Sequence, residues 1–403
     1  MKWPPAWKES SMLEILKGTP VNFLFLGKEE SMGPVAGRAQ ASGIQVSTSG
    51  IPPSGVKLLE GEWPGVKLSE SGAVDVTAAG PTGDPWIDSN GWNLRLNAEF
   101  HPATEIWVSA APKAPFPKES YLITVAEAAV HNGRWIIQLD DDLAAAIAAQ
   151  KPEALETWKK ITGAAAFFAQ RASWSDYVPE AVLGILSDFA GNNETLGREI
   201  LNLVARTNQQ YRILLKEKAT APFLLGLKAV LLPDADPPPV ALRNRILEFV
   251  TAGGMLITGP GWGPLPAAAA AGGVMRSYAI SNLGKGRIAL HRTEFDDPYL
   301  VANDCAVLIS HRHDLLRFFN GGAVGSLYTK RPDGKRAVVQ LLFYASMRGG
   351  NPISVGVVGK FKTGRLWTLD RSEAQDLESL TRDNGLEFHL PRVAQYAAIE
   401  LEA

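Results

Sequence analysis

Aspartates that directly follow short apolar runs are the residues of this chain best placed to do chemistry. Trp135-Ile136-Ile137-Gln138-Leu139 runs into Asp140-Asp141-Asp142, and Val182-Leu183-Gly184-Ile185-Leu186 runs through Ser187 into Asp188. A third run, Ala229-Val230-Leu231-Leu232, passes through Pro233 into Asp234. A buried parallel strand reads as such an apolar run, and α/β proteins carry binding and catalytic groups at its C-terminal end. Three adjacent carboxylates cannot all ionise in one pocket, and aspartates also cap helices at the positive end of the dipole. Capping is the favoured reading for Asp141 and Asp142, while Asp140, nearest the strand, is balanced between cap and catalyst. Asp188 is balanced in the same way between chemistry and ordering the Gly191-Asn192-Asn193 turn. If their two strands share a sheet, Asp140 and Asp188 make the carboxylate pair that glycoside hydrolysis needs. One would protonate the leaving oxygen while the other attacks or activates water.

A second group lies in Pro85-Trp86-Ile87-Asp88-Ser89-Asn90-Gly91-Trp92. Sugars present flat apolar faces and rings of hydroxyls, so tryptophans beside Asp and Asn are the composition of a carbohydrate site. Trp86, Asp88, Asn90 and Trp92 are therefore candidate substrate-binding residues, against the commoner use of tryptophan as an anchor on a core. His311, His313 and Asp314 have a metal-like spacing with no third ligand motif nearby, so a surface turn is expected and no metal site is assigned. Gly259-Pro260-Gly261 matches neither P-loop nor dinucleotide spacing, and no cofactor is called. The single cysteine, Cys305, excludes an internal disulfide framework and a cysteine-rich metal site.

These residues need a scaffold, and 403 residues exceed one ordinary core, so two or three domains are expected. A hydrophobic content of 46% with 20% charged residues is that of a soluble globular protein. The formal charge of -2 supplies no electrostatic reason for nucleic acid or an anionic membrane as partner. No run approaches the ~18 apolar residues of a membrane-spanning helix. The N-terminus lacks the apolar segment of a secretion signal, which fits a cytoplasmic protein or one whose signal has been removed. Oligomeric state, including a homo-oligomer, stays open.

Along the chain, strands are expected at 21–26, 43–48, 105–109, 135–139, 182–187 and 211–215, with helices at about 89–100, 121–130, 142–170 (broken near Lys151-Pro152) and 193–204. A Gly-, Pro- and Ser-rich excursion fills 50–90. Alternation of strands and helices implies βαβ units, but a full eight-fold barrel needs about 250 residues. The expectation is a reduced or irregular (β/α) barrel over residues 1–218. Residues 219–314 then read as a separate flavodoxin-like α/β domain. It has a strand at 227–232, a helix at 240–251 opened by Pro237-Pro238-Pro239 and closed by Gly253-Gly254, and a strand at 255–258. From 315 to 403, short runs separated by turn residues, with Leu386, Phe388 and Leu390 alternating with Glu387 and His389, predict a small β-sandwich. The fold class is thus α/β and multidomain.

This order of modules resembles that of β-galactosidase-like glycoside hydrolases: a barrel, an amidotransferase-like domain and a C-terminal β-domain. The resemblance rests on residues 227–260, with Pro233-Asp234 after a strand and Gly253-Gly254-Met255-Leu256-Ile257-Thr258, and on 385–402, where Phe388-His389-Leu390-Pro391 precedes a last strand. It covers about half the chain. Such hydrolases carry an Asn-Glu pair at one strand end and a second Glu at another. Here Asn193-Glu194 opens a helix, and the amidotransferase-like segment has no cysteine after a strand. What the resemblance implies is a carbohydrate ligand in a cleft of the N-terminal domain, cleaved through Asp140 and Asp188. The alternatives are a non-catalytic carbohydrate-binding or assembly protein on a degenerate barrel, and a small-molecule α/β enzyme centred on Asp234.

Overall fold

The computed structural model describes residues 1–27, 32–66, 87–112, 118–219, 221–345 and 352–403. It is a mixed α/β multidomain structure. Among these residues no helix is long and apolar enough to cross a membrane.

The N-terminal part is built on parallel strands. Phe23–Phe25 pairs with Gln45–Ser47, and Val56–Glu60, Glu105–Ser109 and Gly133–Trp135 pair in that order, all parallel. Residues 1–3 join the two sheets: Lys2 bridges both Gln138 and Phe25 in parallel, with Lys2 N donating to Ile137 O at 2.8 Å and Trp3 N to Phe25 O at 2.9 Å. Among the described residues the surface therefore runs 45–47, 23–25, 1–3, 133–138, 105–109, 56–60. Helices Gly33–Ala41, Ser120–Val130, Asp141–Ala148 and Pro152–Gln170 cover one side of it over one apolar core. The breaks between them are chemical. Asn132 and Gln150 adopt φ of 58° and 57° where helices end, and Pro152 begins the next helix at a position that needs no N–H.

The middle sheet takes in strands from both sides of the boundary expected at 218. Leu183–Ser187 and Tyr211–Leu215, read from the sequence as barrel strands, pair with each other and with Ala229–Leu232. Among the described residues this sheet has seven strands, in the order 211–215, 183–187, 229–232, 255–258, 286–291, 278–283, 270–275. The first five are parallel, and the last two form an antiparallel extension. Helices Glu194–Arg206 and Pro298–Ile309 cover one face and Val240–Thr251 the other, so both faces bury apolar side chains. That double burial is why these strands read as unbroken Val, Ile and Leu runs. Periodicity reveals that such a run is a strand and says nothing about which sheet it joins.

The C-terminal part consists of two antiparallel sheets that enclose a shared core containing Val339, Leu341, Val355, Phe388 and Ile399. Val178–Pro179 adds to an edge of one of them, beside Val324–Lys330, so the chain visits this layer before the middle sheet is built. The outer face of that sheet packs Leu327, Val338, Leu342, Tyr396 and Ala398 against Ile123, Ala126, Val130, Phe167 and Trp174 of the N-terminal helices.

Candidate functional site

Side chains two residues apart on a strand share a face, so the face of the N-terminal strands opposite the helix-covered core can be read from its pairs. Phe23 and Phe25, Trp107, Ile136 and part of Val56 meet there in one cluster. Phe23 and Trp107 meet edge to face at 5.3 Å and 74°, and Phe25 and Trp107 at 6.2 Å and 85°. Above this aromatic floor, at the C-terminal ends of the strands, lies a cleft of about 570 Å³. Phe25, Leu58 and Ile136 supply its apolar wall, and Lys2, Ser109, Gln138 and Asp141 its polar groups. On two of the strands an apolar residue on this face is followed by a polar one nearer the cleft, Trp107 then Ser109 and Ile136 then Gln138, whereas Phe23 then Phe25 and Val56 then Leu58 stay apolar. Gln138 Oε1 is buried with no hydrogen-bond partner among the described residues, and an unmet buried acceptor costs free energy. Leu58 is 39% exposed and Ile51, on the adjoining rim, 66% exposed, so apolar surface continues outward from the cleft.

Asp140 stands beside this cleft as the cap of a helix. Its Oδ1 accepts from Leu143 N at 2.8 Å, and its Oδ2 accepts from the Tyr121 hydroxyl at 2.9 Å. Tyr121 in turn accepts from Asp140 N at 2.7 Å, and burial pushes the phenol pKa up, so the hydroxyl keeps its proton and keeps donating. Both carboxylate oxygens are therefore committed to holding the start of Asp141–Ala148. The neighbour that lines the cleft is Asp141, which the sequence assigns to capping.

Asp188 is on a different sheet, so the condition for pairing it with Asp140 is not met. The middle sheet reverses its strand order between 183–187 and 229–232, and a crevice at such a reversal is where open α/β sheets bind ligands. Asp188 and Asp234 face each other across it. Ser187 Oγ donates to Asp234 Oδ1 at 2.6 Å, Lys216 Nζ pairs with Asp234 Oδ2, and Asn193 Nδ2 donates to Asp188 Oδ1 at 3.2 Å. The Asp234 side chain is fully buried, and that burial raises its pKa against the opposing pull of Lys216 and Ser187. Asp188 remains partly exposed, 3.9 Å from Lys216, and also accepts from Ala190 N at 3.1 Å. Phe189, the next residue, takes a φ of 50°, so the chain turns sharply out of the strand. In the structure Asp188 does order the 191–193 turn.

Among the described residues of the tryptophan-rich segment, Asp88, Asn90 and Trp92 do not form one platform. Trp86 lies outside the described residues. Asp88 pairs opposite Gly65 in a short antiparallel ladder. Asn90 is 4% exposed, and its side chain is fully engaged: Nδ2 donates to Glu62 O at 2.8 Å and Glu127 Oε2 at 2.9 Å, while Oδ1 accepts from Glu62 N at 2.9 Å. The arrangement braces the 61–63 turn against helix Ser120–Val130 and leaves no donor for a ligand. Trp92 packs against the core of the middle sheet.

Glu127, which the sequence reading passed over, is the most perturbed carboxylate of this region. It is 1% exposed, and desolvation pushes its pKa up to about 6 despite bonds from Tyr344 Oη at 2.7 Å and from Asn90 N at 3.0 Å. His131, one turn further along, is pushed down to about 3 by burial and is thus neutral. A glutamate amid Ala126, Ala128 and Ala129 is a visible oddity on an apolar helix face. Its partner Tyr344, however, is 217 residues away. Lys2, Phe25, Leu58 and Ser109 were also missed. Their signal is the alternation along each strand, which is recognisable only once it is known which face the helices cover.

No protein-family model matches the chain, and no curated protein matches it significantly. Solved structures do. α-L-Fucosidase isoenzyme 2 from Paenibacillus thiaminolyticus aligns over 96% of this chain and 78% of its own length, at 11% identity and a TM-score of 0.51. A catalytic mutant of Gan42B, a GH42 β-galactosidase from G. stearothermophilus, aligns over 93% and 66%, at 11% identity and 0.49. A β-galactosidase from the Antarctic haloarchaeon Halorubrum lacusprofundi aligns over 94% and 63%, at 12% identity and 0.43. The chain thus spans about two thirds or less of the two β-galactosidases. At this identity the likeness to the fucosidase is one of fold.

Proposed function

We propose that this protein binds an oligosaccharide in the cleft of its N-terminal domain, and that this domain is a reduced (β/α) barrel followed by an amidotransferase-like domain and a β-sandwich. The observation that carries the reading is the cleft itself, about 570 Å³ at the C-terminal ends of parallel strands, above an edge-to-face aromatic floor. Its polar groups are of the kind that pair with sugar hydroxyls: the Gln138 amide, the Ser109 hydroxyl, the Lys2 ammonium and the Asp141 carboxylate. A sugar hydroxyl can pair with the Gln138 amide where it borders the cleft, and Leu58 and Phe25 suit the apolar face of a ring.

Binding without cleavage is the form favoured here. The expected pair, Asp140 and Asp188, is split between two sheets, and Asp140 has both oxygens engaged in its cap. The test is calorimetric titration with a panel of neutral oligosaccharides, alongside an assay for released reducing ends. The expected result is binding without turnover, weakened about 2- to 10-fold by Gln138→Leu through loss of one or two hydrogen bonds. Binding that survives Gln138→Leu and Leu58→Arg unchanged would place the ligand elsewhere. Turnover abolished by Asp140→Asn would restore the hydrolase reading.

A further inference from the structure

A second cavity, of about 480 Å³, lies at the opposite end of the sheet, against the N-terminal ends of the strands. It is bordered by the strands, by helices Ser120–Val130 and Pro152–Gln170, and by Gln340 on the outer face of the C-terminal sheet. Ala129 and Phe168 line its apolar side, with Trp107 and Trp135 beneath. Beside Arg134, Asn22 and Asn132, two further cationic or amide residues line it from separate parts of the chain. Arg171, at the end of helix Pro152–Gln170, is held between aromatic faces, its guanidinium carbon 3.8 Å from the Phe167 ring centre and 3.9 Å from that of Trp367. Gln340, 5% exposed, has its Oε1 occupied by the Tyr396 hydroxyl at 2.8 Å, so its free hydrogen-bonding capacity is its NH2 group.

The unmet polar groups around this cavity are all of one kind. Trp107 Nε1, Trp135 Nε1 and Arg171 Nε are buried without acceptors among the described residues, and Gln340 contributes a further donor. Indole and guanidinium groups donate and never accept, so these unmet groups give a surplus of donors in a wall that also includes Glu105, paired with Arg134, and the residues Asn22, Asn132 and Ser175. A guanidinium edge is also the strongest common partner for a carboxylate. The size is within the range of small-molecule sites, and the walls are predominantly apolar.

We propose that this cavity binds a monocarboxylate with a compact apolar body, aromatic or medium-chain aliphatic, its carboxylate held by Arg171 and Gln340. Because Gln340 belongs to the C-terminal sheet and Arg171 to the N-terminal helices, such a ligand also ties the two layers together. The site is separate from the carbohydrate cleft, and either reading can fail without the other.

The experiment is calorimetry with ligand-observed NMR on the full chain, using octanoate and 3-phenylpropanoate as probes and octanamide as the neutral counterpart. The expected result is saturable binding of the carboxylates, with the amide weaker by about tenfold or more because a charge-assisted pair becomes a neutral one. Arg171→Gln and Gln340→Leu should each weaken octanoate. Ala129→Phe, which fills the cavity, should abolish binding while leaving oligosaccharide affinity unchanged. That last variant keeps the test sharp if Arg171→Gln, which loses its aromatic stacking, fails to fold. Absence of binding at millimolar concentration, equal affinity for acid and amide, or binding that survives Ala129→Phe would each overturn the proposal.

Discussion

Glu127 makes protein stability depend on pH in a direction opposite to that of an ordinary paired carboxylate. Its folded pKa of about 6 lies above the ordinary glutamate value of 4.5, with desolvation as the largest cause. The folded state therefore binds more protons than the unfolded state between these two values. Stability conferred by the protonated form is complete below pH 4.5 and is lost as pH rises through about 6. A gap of about 1.5 pH units corresponds to about 2 kcal/mol. Glu127→Gln imitates the protonated acid: its oxygen can accept both Asn90 donors, and its NH2 can donate to the Tyr344 hydroxyl. Wild type and variant should have nearly equal stability at pH 4.5, and the variant should be more stable by about 2 kcal/mol at pH 7.5. For a cooperative unit of 150–250 residues this is a Tm gain of about 4–8 °C. Thermal unfolding followed by circular dichroism at the two pH values measures it, and taking the difference between proteins removes the contribution of other titrating groups. A Tm difference that is the same at both pH values would refute the reasoning, because burial would then not be raising this pKa.

Three further changes follow from the same contacts. Asp140→Ala removes the cap of Asp141–Ala148 and the acceptor of the Tyr121 hydroxyl, and should cost about 1–2 kcal/mol by urea unfolding; Asp140→Asn should recover part of it. Asp234→Ala removes the closest partner of Lys216, only 12% exposed, and leaves it Asp188 alone at 3.9 Å, so it should cost up to about 3–5 kcal/mol, whereas Lys216→Met with Asp234→Leu should cost much less, as a double-mutant cycle would register. Gly286→Ala would drive a Cβ into the backbone carbonyls of Val250 and Gly254, so it should lower Tm although the glycine lies in a strand that would otherwise favour a side chain.

Much of the architecture was legible because helix and strand formation leave local marks. The run Ala229–Leu232, the Pro-opened helix Val240–Thr251 and the strand Met255–Thr258 stand where the sequence places them. So do helix Ser120–Val130 and the short alternating strands after residue 315. The site was less legible. Asp140 was identified as a residue of consequence, yet its capping role depends on Tyr121 reaching across from the preceding helix. Asn90 carries the right chemistry for a sugar ligand and has it consumed by Glu62 and Glu127.

Residue order along the chain was enough to say that Leu183–Ser187 is a buried strand ending in polar groups, because apolar periodicity and chain stiffness act over a few residues. It was not enough to say that this strand turns away from the N-terminal surface and joins Tyr211–Leu215 and Ala229–Leu232. Strand pairing is decided by which apolar faces bury one another over the whole molecule, and fully buried parallel strands are nearly interchangeable in sequence. The same holds for charge. Glu127 is an ordinary glutamate until Tyr344 and the C-terminal sheet close over it, and Asp140 and Asp188 were a plausible pair until each was assigned its own sheet. Residue type sets what chemistry a side chain can do; the fold sets its solvent, its neighbours and therefore which of that chemistry is left to it.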